Sequence, residues 1–244
     1  VKRSDIVFSA HRSHSHLLSL NNDIYKLFAE VLGKETGFSK GMGGSMHLFD
    51  VNSPFKGSTP IVSGTVPLAV GAAITFKQNR NNNISISYLG DGAMEEGVVH
   101  ESLNLSKIMN LPVLFVVENN LFSSHMHISL RQTSNMMSRF AQANNIPYKI
   151  LDGNNVVQIY ETSKSLIEKI RQNNGPQFLE CITYRHYGHV DWRDDIDVGV
   201  ERSKHDLEYW QRKDPIISLN NFMNLEHDWN VDKFIFKMVF LRSC

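Results

Sequence analysis

Ile84-Ser85-Ile86-Ser87-Tyr88-Leu89-Gly90-Asp91-Gly92 decides the fold: a run of strand composition that stops abruptly at Gly-Asp-Gly. Downstream, Val113-Leu114-Phe115-Val116-Val117-Glu118 reads as a second strand and stops at Asn119-Asn120. Between them, Glu95 to Met109 has the spacing of an amphipathic helix. The three pieces make one βαβ unit, whose right-handed crossover brings the carboxyl ends of both strands to one edge. Asp91 and Asn120 are therefore expected side by side at the ligand-binding rim of a doubly wound, mostly parallel α/β sheet with helices on both faces. A carboxylate, a carboxamide oxygen and a nearby backbone carbonyl are hard oxygen ligands. They suit a Mg²⁺ that fills its remaining positions from a diphosphate and water. Gly90 and Gly92 let the backbone approach such a diphosphate closely. Gly-Asp-Gly alone is also the composition of a tight turn, and it is the flanking strands and their spacing that favour the binding reading.

Four motifs in order then resemble one family. The GDG…NN pattern resembles the thiamine diphosphate motif. Lys40-Gly41-Met42-Gly43-Gly44-Ser45-Met46-His47 is similar to a KGKGGSMH segment, Ile61 to Gly71 to an IVG…PLAAG helix entry, and Thr183-Tyr184-Arg185-His186-Tyr187-Gly188-His189 to a TYRxxGH loop. Together they resemble the alpha subunit of the decarboxylating component of 2-oxo acid dehydrogenases, such as pyruvate or acetoin dehydrogenase. The resemblance runs from about Asp5 to Pro215 and implies a thiamine diphosphate-binding fold over residues 1–215, with 216–244 left as an unassigned tail. It also implies an amino-terminal helical segment ahead of Val1. After Pro215 the sequence turns Asn-rich, then apolar through Phe234 to Phe240, which matches nothing in the pattern.

At 244 residues the chain has the length of one large α/β domain. Lys and Arg number 25, as do Asp and Glu, so no global charge points to nucleic acid or a membrane surface, and a phosphate would have to be held locally. Two cysteines, Cys181 and Cys244, supply no disulfide framework and fit a reducing compartment. With no run of about 18 apolar residues and no basic-then-apolar leader, the chain reads as soluble and cytoplasmic.

Strand and helix alternate along the sequence. Asp23 to Leu32 reads as a helix capped by Asn22 and ended by Gly33. Thr36 to Gly64, rich in glycine and proline, reads as a long loop, of a length that is usually functional or disordered. Pro67 opens a helix to about Gln78. Asn135 to Asn144 reads as a helix, Tyr148 to Leu151 as a strand, Val156 to Gln172 as a helix and Phe178 to Tyr184 as a strand, which argues a parallel sheet covered on both faces.

The resemblance assigns roles residue by residue. Asp91, Asn120 and the backbone carbonyl of Phe122, which replaces a frequent Tyr, are the expected Mg²⁺ ligands, with Gly92 and Ala93 at the diphosphate. His11 stands where the family has Tyr, and with Arg12 and His14 it is expected at the cofactor and substrate. Arg12 can form charge-assisted bonds to phosphate, and His14 can exchange a proton near neutral pH. The His11, His14, His16 run could instead bind zinc, although no second pair at structural-site spacing accompanies it. His189 is the expected loop histidine facing the cofactor's reactive carbon, helping decarboxylation or acyl passage. Val62 and Ser63 match the backbone stretch that touches the thiazolium and aminopyrimidine. Glu95-Glu96 reads as first-turn charge offsetting a helix dipole, and His47 as a packing or interface residue. Val190 occupies the place of a regulatory serine in animal pyruvate dehydrogenases, so phosphorylation there is not expected. Asp191 to Asp197 reads as a solvated charged loop.

The resemblance thus implies a thiamine diphosphate- and Mg²⁺-dependent enzyme acting on a small, pyruvate-like 2-oxo acid. It implies a beta subunit in an α₂β₂ heterotetramer, which completes the cofactor site, and a lipoyl domain of an acyltransferase as acceptor. Two other readings stay open: acyl or ketol transfer to a different acceptor, suggested by Met94-Glu95-Glu96, and a catalytically dead truncated paralogue.

Overall fold

β3 (Ser85–Gly90) and β4 (Val113–Asn119) are parallel neighbours, with Gly90 opposite Glu118. The structure, a computed structural model, describes residues 1–189 and 202–225. The expectations for Val190, for the Asp191 to Asp197 run, for Phe234 to Phe240 and for Cys244 lie outside those residues.

Around this pair a six-stranded sheet runs in the order β2-β1-β3-β4-β8-β7, with β1 (Ile6–Ser9), β2 (Phe55–Ser58), β7 (Tyr148–Asp152) and β8 (Gln177–Ile182). Every pairing in it is parallel. A separate short hairpin joins β5 (Phe122–Ser123) to β6 (Met126–His127). From β1 the sheet extends one way to β2 and the other way to β3, so the winding reverses between β1 and β3. At such a reversal the loops leaving adjacent strands diverge and open a crevice at the carboxyl edge.

Alternation along β4 explains the two layers. Val113, Phe115 and Val117 face one core, with Val66, Val70 and Ala73 of α3 (Val66–Gln78), Val99 and Leu103 of α4 (Gly97–Ile108) and Ala141 of α5 (Ser138–Ala143). Leu114 and Val116 face the other, with Leu17 and Leu18 of α1 (His14–Leu20), Leu27 of α2 (Ile24–Val31), and Leu166 and Ile170 of α6 (Val156–Arg171). Strands buried on both faces are near-continuously apolar, as β4 is. The doubly wound α/β reading is therefore correct. Among the described residues no helix is long and apolar enough to cross a membrane.

Several local expectations change. The cap of α2 is Asp23, whose carboxylate accepts the Lys26 amide at 2.9 Å, rather than Asn22. The Glu95 to Met109 stretch divides into a 3-10 turn, Gly92–Glu95, and α4; Glu96 is the residue before α4, and no acidic group sits in the first turn of that helix. Thr36 to Gly64 is not all loop, since β2 lies within it. The helix expected from Asn135 starts only at Ser138, because the buried Glu180 carboxylate accepts the Met137 and Ser138 amides at 3.0 and 2.7 Å and fixes the first turn there. After α7 (Lys204–Arg212), the described start of the tail is helix α8 (Pro215–Leu225), which packs on α6 with Leu219 buried.

Candidate functional site

Because all six strands are parallel, the segments that follow β1, β3, β4 and β8 leave from one edge. These segments carry His11 to His14, Asp91 to Ala93, Asn120 to Phe122 and Thr183 to His189. These sequence-derived residues therefore lie along one edge of the sheet, which includes the reversal between β1 and β3.

Asp91 is 1% exposed, and its carboxylate accepts hydrogen bonds from its own amide and from the Asn120 amide. The acid and the asparagine are therefore in direct contact across the β3 and β4 ends. Burial raises the Asp91 pKa, against the pull of Arg131 and these amides. Asn120 Oδ1 accepts the Phe122 amide at 3.0 Å, closing a turn in which Leu121 sits at φ +70°. That left-handed value is strained for a side chain of this size. Asn119 plays a different part. It is buried, its Nδ2 donates to Glu180 Oε1 at 2.7 Å, and its Oδ1 accepts the Leu121 amide at 3.1 Å. A Cβ at Gly92 would collide with the Ser123 hydroxyl, so the 3-10 turn and the β5–β6 hairpin can close together only over glycine.

Sequence reasoning missed Arg131. Its guanidinium pairs with both the Asp91 and Glu95 carboxylates. Glu95 thus anchors an arginine instead of tuning a helix dipole, and Met94 is wholly buried in the core. A buried carboxylate requires a positive partner, and the guanidinium meets that requirement here. Asp91 is therefore already paired with a positive group. The oxygen donors of the site, the Asp91 carboxylate, the Asn120 carboxamide and the main chain at Phe122, have the hardness that Mg²⁺ selects.

A second group joins the segments that follow β1 and β8. Arg12 Nη2 lies 3.1 and 3.0 Å from the two ring nitrogens of His189, and the His189 and His125 rings are 5.4 Å apart, edge to face. Burial, then Arg12, Arg185, His125 and His11, push the His189 pKa down to about 4. His11 is lowered as well, by burial first and then by Arg12. His189 is neutral at pH 7, among groups whose combined charge favours an anion. His14 points to the glycine loop instead, its Nε2 at 2.9 Å from Ser45 Oγ and 3.1 Å from Ser45 O. His16 is buried between Ser9 Oγ at 2.7 Å and Glu118 Oε1 at 3.0 Å, and stacks on Tyr88 with ring centroids 4.2 Å apart. His14 and His16 are thus separately engaged. Among the described residues no group of three or more His, Cys, Asp or Glu side chains is gathered for a metal, so the zinc alternative falls.

The glycine-rich loop is organised by a residue the sequence reading passed over. Glu30, at the end of α2, is fully buried and accepts amides from Ser39 and Gly41 on Oε2 at 2.7 and 2.9 Å, and from Gly43 and Gly44 on Oε1 at 2.6 and 3.3 Å. Burial raises its pKa, but these four amides outweigh burial and hold it below the usual range. Gly41, at φ +74°, packs directly on Gly33, where no side chain would fit. The loop ends at Val62, which is 49% exposed, and Ser63, at φ +62° with its Oγ donating to Ala93 O at 2.7 Å. That bond ties the loop to the Gly92-Ala93 turn. His47 is exposed on this chain, as an interface residue is without its partner.

One clue to Glu30 and Glu180 was present in the sequence: each is an ionisable residue inside an apolar run, Leu27-Phe28-Ala29-Glu30-Val31-Leu32 and Phe178-Leu179-Glu180-Cys181-Ile182, and must find partners if buried. Arg131 carried no such clue.

Comparison with known proteins gives a consistent picture. The family model described as "Dehydrogenase E1 component" matches residues 1–233. The alpha subunit of acetoin:2,6-dichlorophenolindophenol oxidoreductase from Bacillus subtilis is 36% identical over 227 residues, covering 93% of this chain and 67% of that protein. The pyruvate dehydrogenase E1 component subunit alpha of Rickettsia felis is 35% identical over 218 residues, covering 88% and 65% respectively. The chain thus spans about two thirds of the length of these relatives. Among solved structures, transketolase from Campylobacter jejuni superposes with a TM-score of 0.54 at 17% identity, over 74% of this chain and 29% of that one, a likeness of fold.

Proposed function

The chain belongs to the dehydrogenase E1 component family, and from that premise we propose that it is the alpha subunit of a thiamine diphosphate- and Mg²⁺-dependent 2-oxo acid dehydrogenase. Its substrate is a small, pyruvate-like 2-oxo acid, and the acyl group passes to a lipoyl domain of an acyltransferase. The observation that carries the reading is the contact between Asp91 and Asn120 at the ends of β3 and β4, beside the winding reversal.

Thiamine diphosphate, when bound, supplies the electron sink for decarboxylation. The chain's own residues bind and orient. Asp91, Asn120 and the Phe122 carbonyl would hold Mg²⁺, Gly92 and Ala93 would serve the diphosphate, and Arg12 would offer charge-assisted bonds to its oxygens. His189, held neutral first by burial and then by Arg12 and Arg185, is able to accept a proton. His11 would border the cofactor, Val62 and Ser63 would present main chain to its rings, and His14 holds the glycine loop through Ser45.

The activating glutamate for the ring comes from a beta subunit in an α₂β₂ heterotetramer. Exposed Ile61, Val62 and Leu68, where the glycine loop enters α3, support an apolar partner surface beside the site. A cytoplasmic setting accords with the free, buried Cys181.

The test is reconstitution. The chain with its beta subunit, thiamine diphosphate and Mg²⁺ is expected to decarboxylate pyruvate or a close analogue and to acylate a lipoyl domain, while the chain alone does neither. Robust turnover by the chain alone would overturn the interface reading. Transfer to a sugar acceptor without lipoyl acylation would overturn the dehydrogenase reading.

A further inference from the structure

Arg131 closes the 3-10 turn Ile128–Leu130 that follows the β5–β6 hairpin, and its side chain is 8% exposed. Every nitrogen of its guanidinium has a partner: Nε faces the Met126 carbonyl at 3.3 Å, Nη1 pairs with Glu95, and Nη2 with Asp91 Oδ2. The Asp91 side chain is 2% exposed and that of Glu95 29%, so one end of the arginine is sealed and the other reaches the surface.

A guanidinium and a divalent cation cannot both take the same lone pairs of a buried carboxylate. The Asp91 and Asn120 amides already take lone pairs of this carboxylate and Arg131 takes another on Oδ2, so a Mg²⁺ ligand position at about 2.0–2.1 Å competes with the guanidinium for what remains. Adding two more charges beside an unmoved guanidinium in a poorly solvated place is also unfavourable. Glu95, being partly solvated, can keep the arginine after Asp91 has been given up.

We propose that Arg131 is a positioning residue that occupies Asp91 in place of the divalent cation in the cofactor-free protein, and that it withdraws onto Glu95 when the cation arrives. The inference rests on the Mg²⁺ reading of Asp91 and Asn120. Its consequence is that cation affinity is lower than the oxygen set alone would give. A clamp that leaves Asp91 free in about one molecule in ten weakens apparent affinity about tenfold. In exchange, the carboxylate is never buried unpaired.

The test measures cation binding, with Mn²⁺ as probe, by the electron paramagnetic resonance of free Mn²⁺, on the chain assembled with its beta subunit and saturated with thiamine diphosphate. Arg131→Met is expected to bind Mn²⁺ about tenfold more tightly than the unaltered chain. Arg131→Lys keeps the charge but loses the two-pronged reach, so it too is expected to bind more tightly; a role through net charge alone would leave it unchanged. A merely structural arginine would give weaker binding in both variants. Equal or weaker Mn²⁺ binding by both overturns the inference while leaving the Mg²⁺ reading in place. Absence of saturable Mn²⁺ binding in all three proteins overturns both. If Arg131→Met fails to fold, the Arg131→Lys comparison decides by itself.

Discussion

Glu30→Gln is the most direct perturbation of the architecture around the site, because it keeps volume and removes only the negative charge. In the native chain two carboxylate oxygens serve four amides, those of Ser39, Gly41, Gly43 and Gly44. Glutamine keeps one acceptor oxygen and turns an NH₂ toward the other two amides, so two bonds are lost and donors oppose donors. Hydrogen bonds to a charged group contribute about 1.5–3 kcal/mol each, which gives about 3–6 kcal/mol for two. Loop relaxation toward solvent reduces this, and we expect a loss of about 3 kcal/mol, well above the roughly 0.5 kcal/mol of a surface substitution. Urea unfolding reports the loss, and hydrogen exchange at the same four amides reports where it arises. Since the folded pKa lies below the ordinary glutamate value of 4.5, the Glu30 contribution is fully present above that pH and is lost as pH falls through the lowered folded value. The variant should lack this acid-dependent component. Stability within about 0.5 kcal/mol of the native chain, together with unchanged exchange at Gly41 and Gly43, would refute the reasoning.

His189 should titrate near 4 by NMR, below an unfolded value of about 6.5. As pH drops between those values the unfolded chain takes up the proton first, so this residue lowers stability in that window and contributes nothing above it. Inorganic diphosphate, seated against Arg12, should raise the His189 pKa; no upward shift on addition removes the anion-site reading. Burial first, then Glu118 and Glu180, push the Cys181 thiol up to about 12. In a Cys244→Ser chain, a thiol-specific disulfide reagent at pH 8 should therefore find nothing to react with until denaturant is added, and rapid labelling of the folded protein would contradict that burial.

The parts of the fold legible in the sequence are those with long, uniform patterns. β3, β4, α3 and α6 all lie within a few residues of where periodicity and breakers place them. β1 and β2 are four residues each, and Phe55-Lys56-Gly57-Ser58 sits in a Gly- and Pro-rich stretch whose strand character comes only from pairing with β1. Tertiary contact overrides propensity there. Helix α1 was hidden for a related reason: Ser15 and His16 are buried on its inner side, so its pattern looks polar. At the site, adjacency of Asp91 and Asn120 follows from topology and could be read in advance. Arg131 could not. It meets Asp91 from forty residues away in the chain, through a turn with no periodic signature, and only folding discloses which carboxylate an arginine will find.

His16 touches three neighbouring strands at once, through Ser9 of β1, Tyr88 of β3 and Glu118 of β4. It acts as a rivet through the floor of the crevice, holding that floor to one width. The three strands that feed Arg12, Asp91 and Asn120 into the site are thereby tied through one imidazole.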